Sequence, residues 1–260
     1  MTMWVYGDSF AAPGPGCWPS QTAALLKQQL INQALGGSST EYSFRLFARA
    51  LQQRSFQPGD IIVFVTSTPG RLFFQHHQQH APQEAGMYFH PDCEYPWYQR
   101  NRKQVQWYLE NVDWSVLSLN HEAYISTMRD AARQHPDCLF VTLPVTTSAE
   151  LLGLCVDPPN FVRSHVSLMD ISSREVRGYS LPQFYDLHPD PRTCHLCVPN
   201  LRTLTQCMVR VIQDRCAAHI SADLFETDLI TGIRNRRQYM DLVRRDVLCW
   251  KDWFAERLRD

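Results

Sequence analysis

Ser9 and His195 are the two residues whose types and placement are best suited to chemistry. Ser9 follows a β-branched and aromatic run, Met3 to Tyr6, which predicts a first strand. Gly7 permits a tight exit from that strand, and open α/β sheets carry their chemistry at the carboxyl ends of their strands. His195 stands shortly before Pro199, which suits the first turn of a helix. A serine hydroxyl beside an imidazole can act as a nucleophile, because the imidazole accepts the hydroxyl proton.

Short blocks that contain these residues resemble, in their order along the chain, the SGNH or GDSL-type serine hydrolase family. The blocks are Gly7-Asp8-Ser9-Phe10, Asn-Gln-Ala-Leu-Gly-Gly-Ser-Ser over 32–39, and Asp-Pro-Arg-Thr-Cys-His-Leu over 190–196. The resemblance implies a three-layer α/β/α sandwich with a mostly parallel, flavodoxin-like sheet. It also implies that Ser9 is the nucleophile and His195 the general base. The backbone N–H groups of Ser9 and Gly37 would then form part of an oxyanion hole.

The chain departs from the family pattern at the third block, where the family usually has an asparagine that completes the oxyanion hole. Here the predicted strand 61–65 runs into Thr-Ser-Thr-Pro-Gly-Arg without an asparagine. A hydroxyl of Thr66, Ser67 or Thr68 could donate in its place, or Arg71 could reach in. A lost oxyanion donor costs about 3 kcal/mol of barrier lowering, so a replacement matters.

The second departure concerns the acid that orients the histidine. The family usually has an aspartate three residues before the histidine, where this chain has Arg192. We prefer Asp190 as the acid of the site. The alternative pairing is Asp186 with His188, which are one residue closer together than the family pattern requires.

Composition limits the classes of function that are open to the chain. With 25 basic and 26 acidic residues among 260, the formal net charge is −1, which does not favour a nucleic-acid partner. No apolar stretch is long enough to span a membrane. The first predicted strand begins next to the initiator methionine, leaving no room for a signal peptide, and nine scattered cysteines fit a reducing compartment. We therefore expect a cytoplasmic protein.

The predicted elements alternate between strands and helices, which favours a three-layer α/β sandwich with a mostly parallel sheet. Ser38 and Glu41 have capping-box spacing before an apolar helical pattern. The other predicted elements are a helix over 20–31, a strand over 61–65, a helix over 122–134, a strand over 138–143, a shorter edge strand over 164–171 and a helix after Pro199.

Two segments depart from this alternation, and we divide the chain into 1–217 and 218–260 accordingly. Residues 72–114 form an aromatic-rich insertion, which is either a wall or lid over Ser9 or a side cluster that packs onto the domain. Residues 218–260 carry the stripe of an amphipathic helix. The stripe consists of Tyr239, Val243, Val247, Trp250, Phe254 and Leu258. It should pack on the body of the protein, a second copy or a larger assembly.

Two histidine and cysteine patterns suggest metal binding. His76 and His80 have i, i+4 spacing but no completing ligand pattern, so a solvated polar turn is favoured. Cys194 and Cys197 have the spacing of zinc ligands, with His188 and Cys93 as candidate partners. A zinc ion there would occupy the loop that should supply the general base.

The sequence therefore favours a serine hydrolase acting on an acyl ester, such as an acetylated glycan or a small ester, without a cofactor or metal. Two alternatives stay open. One is an inactive or weakly active relative that serves as a binding or assembly protein through its C-terminal helix. The other is a zinc-stabilised interaction protein.

Overall fold

The computed structural model describes residues 1–14, 16–69, 113–146, 156–177 and 195–231, the Trp114 side chain excepted. It also describes the backbone of 72–76 and 79–85 and the isolated residues 103, 107, 110 and 111.

The centre of the fold is a five-stranded sheet in which all strands are parallel, which confirms the prediction of a mostly parallel sheet. Its strands are β1 (Thr2–Tyr6), β2 (Gln29–Asn32), β3 (Ile61–Thr66), β6 (Leu139–Pro144) and β7 (Phe161–Arg163), in the spatial order β2-β1-β3-β6-β7. β1 and β3 pair with Tyr6 opposite Phe64, and β3 pairs with β6. The central strand β3 is buried along its whole length, which is typical of a parallel sheet covered on both faces.

Helices cover both faces of the sheet and complete three layers. They are α1 (Trp18–Leu25), α2 (Thr40–Gln52), α3 (Trp114–Gln134), α4 (Leu168–Arg174) and α5 (Val198–Asp214). On one face, Leu201, Leu204 and Met208 of α5 pack in one cluster with Met3 and Val5 of β1. On the other face, α2 and α3 pack against Tyr6, Phe64 and Phe140. The three-layer α/β sandwich is thus confirmed.

The prediction of a helix over 20–31 is wrong at its carboxyl end. Helix α1 stops at Leu25, and Gln29–Asn32 form the edge strand β2. Lys27 is left-handed, with φ of 54°, and the N–H groups of Lys27 and Gln28 bond back to the carbonyls of Ala24 and Ala23. This pattern is a Schellman motif, and it frees the following residues to pair with β1. Tertiary pairing therefore overrides the helix propensity of this run.

The predicted strand over 164–171 is also misplaced. The edge strand β7 lies earlier, at Phe161–Arg163, and α4 begins at Leu168. Ser167 is the N-cap of α4, since its hydroxyl accepts a hydrogen bond from the N–H of Asp170. The short apolar run after Ser167 is therefore helical. A short run of apolar residues fits either a buried strand or a buried helix, so the sequence pattern alone does not decide between them.

The helix start near block 32–39 lies one residue later than the capping box predicts. Ser39 is the N-cap of α2 and accepts from the N–H of Tyr42 at 3.2 Å. Ser38 instead donates to the Gly7 carbonyl.

Part of the aromatic insertion forms an antiparallel hairpin of β4 (Leu72–His76) and β5 (Gln79–Ala85). His76 and His80 thus lie on strands and do not share a helix face. The rest of the insertion, apart from four isolated positions and residues 113–114, lies outside the described residues, as does the predicted stripe from Tyr239 to Leu258. Within the described part of the chain, no helix has the length and apolar character needed to cross a membrane.

Candidate functional site at the carboxyl edge of the sheet

Ser9 lies in the turn that follows β1, at the carboxyl edge of the sheet, and its side chain is half-buried. The buried Asp8 shapes this turn. Its carbonyl accepts from the N–H of Ala11 at 3.0 Å, and its Oδ1 accepts from the N–H of Phe10 at 3.0 Å. An aspartate that bonds its own backbone two residues on is a typical turn device, so Asp8 has a structural role in orienting Ser9.

Gly7 joins this turn to the second block. Its carbonyl oxygen accepts three hydrogen bonds, from the N–H of Leu35 at 3.0 Å and the hydroxyls of Ser38 at 3.0 Å and Ser43 at 3.2 Å. A Cβ atom on Gly7 would lie 2.7 Å from the Cβ of Val65. Only glycine therefore allows β1 and β3 to approach this closely just before Ser9.

Gly37 lies in the loop between β2 and α2, next to Ser38, whose hydroxyl donates to the Gly7 carbonyl. Its φ is 83°, in the left-handed region where glycine is favoured. Its neighbour Ser38 is anchored by its N–H to the carbonyl of Leu35 at 3.0 Å and by its hydroxyl to Gly7. The second block is therefore fixed against the Ser9 turn.

The third block, Thr66 to Thr68, follows β3 and is buried. The Thr66 carbonyl accepts from the N–H of Val145 at 2.8 Å, and the Ser67 carbonyl accepts from the Thr40 hydroxyl at 3.3 Å. The hydroxyls of Ser67 and Thr68 are buried and have no hydrogen-bond partner among the residues that the structure describes. Buried hydroxyls normally have hydrogen-bond partners. These two hydroxyls, which follow the strand next to β1, are therefore available to donate hydrogen bonds to a bound group.

His195 immediately precedes the start of α5, and its ring packs against the ring of Phe10. The ring centroids are 4.7 Å apart with an interplanar angle of 36°. Two residues that are 185 positions apart in sequence thus meet, and Phe10 is the residue after Ser9. The Ser9 hydroxyl makes no hydrogen bond within the described residues. Catalytic hydrogen bonds are often long in a free enzyme and shorten when substrate binds.

The backbone around His195 is held by residues that the sequence did not single out. The hydroxyl of Ser172 donates to the His195 carbonyl at 2.6 Å. The fully buried carboxylate of Glu175 accepts from the N–H of Cys197 at 3.0 Å and from Nδ2 of Asn200 at 2.8 Å. None of these residues belongs to a recognisable motif, so only the fold reveals them.

Several of the predicted site residues lie outside the part of the chain that the structure describes. Those outside the described residues are Arg71, Cys93, Asp186, His188, Asp190 and Cys194. The acid of the site and three of the four candidate zinc ligands are therefore sequence predictions. Cys197 is described and is a buried thiol at the start of α5. Among the described residues, no group of three or more His, Cys, Asp or Glu side chains could hold a metal ion.

No protein-family model matches the chain, and no curated protein matches it in sequence. Function is therefore inferred from the chemistry of the site, since a fold of this kind hosts many unrelated activities.

Proposed function

We propose that the protein is a serine hydrolase of the SGNH type that cleaves acyl esters, with Ser9 as nucleophile and His195 as general base. The observation that carries the proposal is the contact between the rings of Phe10 and His195. Because Phe10 is the residue after Ser9, this contact supports an active site that is shared by the first and last blocks.

In the proposed reaction the Ser9 hydroxyl attacks the acyl carbon while His195 accepts the hydroxyl proton. The ester C–O bond then breaks, and His195 returns the proton to the leaving alcohol. Water attacks the acyl-serine with His195 again acting as base, which releases the carboxylic acid and restores Ser9. Asp190, or alternatively Asp186, would orient the imidazole and stabilise its charged form.

The oxyanion of each tetrahedral intermediate needs hydrogen-bond donors fixed before the reaction. We assign this role to the N–H groups of Ser9 and Gly37, helped by a hydroxyl of the third block. Ser67 is the best-supported hydroxyl, because its oxygen is buried without a hydrogen-bond partner among the described residues and its backbone carbonyl accepts from the Thr40 hydroxyl. Thr66, Thr68 and Arg71 are the other candidates.

A fluorophosphonate probe tests this proposal, since it reacts covalently with an activated serine. The wild-type protein should be labelled, and Ser9→Ala and His195→Ala should lose labelling. Ser55→Ala and His219→Gln are the matched controls: Ser55 follows α2 and His219 pairs with Asp214 at 2.7 Å, both outside the proposed site. Both controls should be labelled as the wild type is.

Absence of labelling in the folded wild-type protein, or equal labelling of Ser9→Ala, would exclude the hydrolase proposal. Loss of labelling in His188→Ala but not in His195→Ala would transfer the base to His188. Stoichiometric zinc in the purified protein would instead favour the zinc-stabilised interaction protein.

A further inference from the structure

We infer that Ser172 and Glu175 are positioning residues for His195, holding the backbone at and just after this residue so that the imidazole packs against Phe10, the residue after Ser9. The inference rests on the proposed function for its catalytic consequence, but the positioning itself is a structural claim that can be tested separately.

The backbone of His195 requires such support. Its φ is 53°, a left-handed conformation that is uncommon for residues other than glycine and costs about 1–3 kcal/mol. A conformation of this kind persists only where surrounding contacts determine it, and it is often found at active sites. The conformation also determines the direction in which the His195 side chain leaves the backbone.

Ser172, on α4, controls the carboxyl side of the His195 peptide. Its hydroxyl lies 2.6 Å from the His195 carbonyl oxygen, and the residue is completely buried. The adjacent Ser173 makes a different contact, donating to the carbonyl of Asp170 in its own helix at 3.0 Å. The two serines therefore form a matched pair, of which, among the described residues, Ser172 alone donates a hydrogen bond to the His195 backbone.

Glu175, just after α4, holds the chain two residues beyond His195. Both of its carboxylate oxygens lie 3.0 Å from the Cys197 nitrogen, at the start of α5. A carboxylate is favoured there because free N–H groups and the helix dipole present positive charge. Asn200 donates to the same carboxylate, and Glu175 is completely excluded from solvent. An unpaired buried carboxylate is costly, so these contacts fix the loop firmly.

We call Ser172, Glu175 and Asn200 the clamp of the His195 loop. A third set of contacts connects this clamp to the residues after α5. Asn200 donates to the Glu226 carbonyl at 2.8 Å and accepts from the Glu226 N–H at 2.8 Å. The Glu175 carbonyl accepts from the N–H of Ile230 at 2.7 Å. We call residues 225–230 the C-terminal strap. The strap thus forms hydrogen bonds with Asn200 and with the backbone of Glu175, the residues that hold the start of α5 after His195.

The first experiment compares Ser172→Ala with Ser173→Ala by the rate of fluorophosphonate labelling. Loss of one hydrogen bond that positions the base should slow labelling about tenfold in Ser172→Ala and less than twofold in Ser173→Ala. Equal slowing of Ser172→Ala and Ser173→Ala would show a general structural effect of substitutions in α4 and overturn the inference, as would an unchanged rate in Ser172→Ala.

Glu175→Gln provides a second variant, with Glu226→Gln as its control. The carboxamide of the variant has one acceptor oxygen where the carboxylate of Glu175 has two. Glu226 is a suitable control because its side chain is exposed and its hydrogen bonds with Asn200 come from its backbone. Labelling should slow by about tenfold or more in Glu175→Gln and stay unchanged in Glu226→Gln. Equal rates in the two variants would contradict the role of Glu175.

Nuclear magnetic resonance of ¹⁵N-histidine-labelled protein tests positioning without any catalytic readout. The imidazole signals of His195, assigned by their loss in His195→Ala, should shift or broaden in Ser172→Ala and stay unchanged in Ser173→Ala. Unchanged signals in Ser172→Ala would refute the inference even if labelling slowed. Shifted signals in a protein that is never labelled would support positioning while refuting the proposed hydrolase.

Discussion

Gly7 is the residue at which the strand, the turn and the proposed site meet. Its carbonyl accepts two hydrogen bonds from the second block and one from Ser43 of α2, and its α-carbon faces Val65 so closely that a methyl group does not fit. The glycine of the Gly-Asp-Ser motif is thus explained by packing between two strands. The motif therefore carries structural information apart from any catalytic role of Ser9.

Gly7→Ala should lower the free energy of unfolding by about 1–3 kcal/mol, because the added Cβ would overlap Val65 within a packed sheet. Gly36→Ala is the matched control, since a Cβ there meets no atom within 4 Å. Its effect should stay within about 0.5 kcal/mol. Urea denaturation of the three proteins measures the difference. Equal stability of Gly7→Ala and Gly36→Ala would show that β1 and β3 can separate at no cost.

At the scale of the element, α3 shows how a polar residue can occupy an apolar stripe. Buried positions recur at helical spacing along one face of α3: Leu117, His121, Ile125, Met128 and Ala132. His121 is 6% exposed, and its Nδ1 is buried with no hydrogen-bond partner in the described part of the chain. Burial, together with the charge of Arg163, lowers the pKa of His121 from 6.5 to about 4. The packed helix therefore favours the neutral imidazole.

This depressed pKa predicts that His121 makes stability depend on pH. Above pH 6.5 the imidazole of His121 is neutral in both the folded and the unfolded protein. Between pH 6.5 and about pH 4, the imidazole binds a proton in the unfolded chain but stays neutral in the folded protein. Stability should therefore fall as pH drops from about 6.5 to about 4, by about 3 kcal/mol in total. His121→Leu should remove this part of the pH dependence, and the exposed His165→Gln should leave it unchanged. Urea unfolding across this pH range measures it, and identical pH profiles of wild type and His121→Leu would contradict the prediction.

At the scale of the whole molecule, the C-terminal strap connects elements that are distant in sequence. Phe225 and Ile230 are buried in the core cluster that lies between the sheet and α5. Strap backbone groups bond to Arg174, Glu175 and Arg177. The domain core therefore extends beyond α5 and beyond residue 217, where the sequence-based division ends it.

Ile230→Ala should lower the free energy of unfolding by about 2–5 kcal/mol, because it leaves a cavity in this cluster. Leu224→Ala is the control, since Leu224 is 50% exposed and lies just before the strap. Its effect should remain under about 1 kcal/mol. Urea denaturation distinguishes the two, and a shift of the same size for both variants would show that the strap is not part of the cooperative core.

The sequence alone predicted the alternation of strands and helices, since a buried parallel strand such as β3 and an amphipathic helix such as α5 each have a strong local pattern. It failed at 29–32 and at 164–171. There, short apolar runs fit either structure, and pairing with a neighbouring strand or an N-cap serine decides between them.

For the candidate site, the sequence determined which residues have useful chemistry, Ser9 and His195, because a hydroxyl and an imidazole are recognisable by type. Only the tertiary structure decided that the His195 ring lies against Phe10 and that Ser172 and Glu175 hold the backbone of His195 and Cys197. Such contacts join residues that are far apart in the chain. Their partners are selected by how the layers pack, and no local pattern in the sequence records that choice.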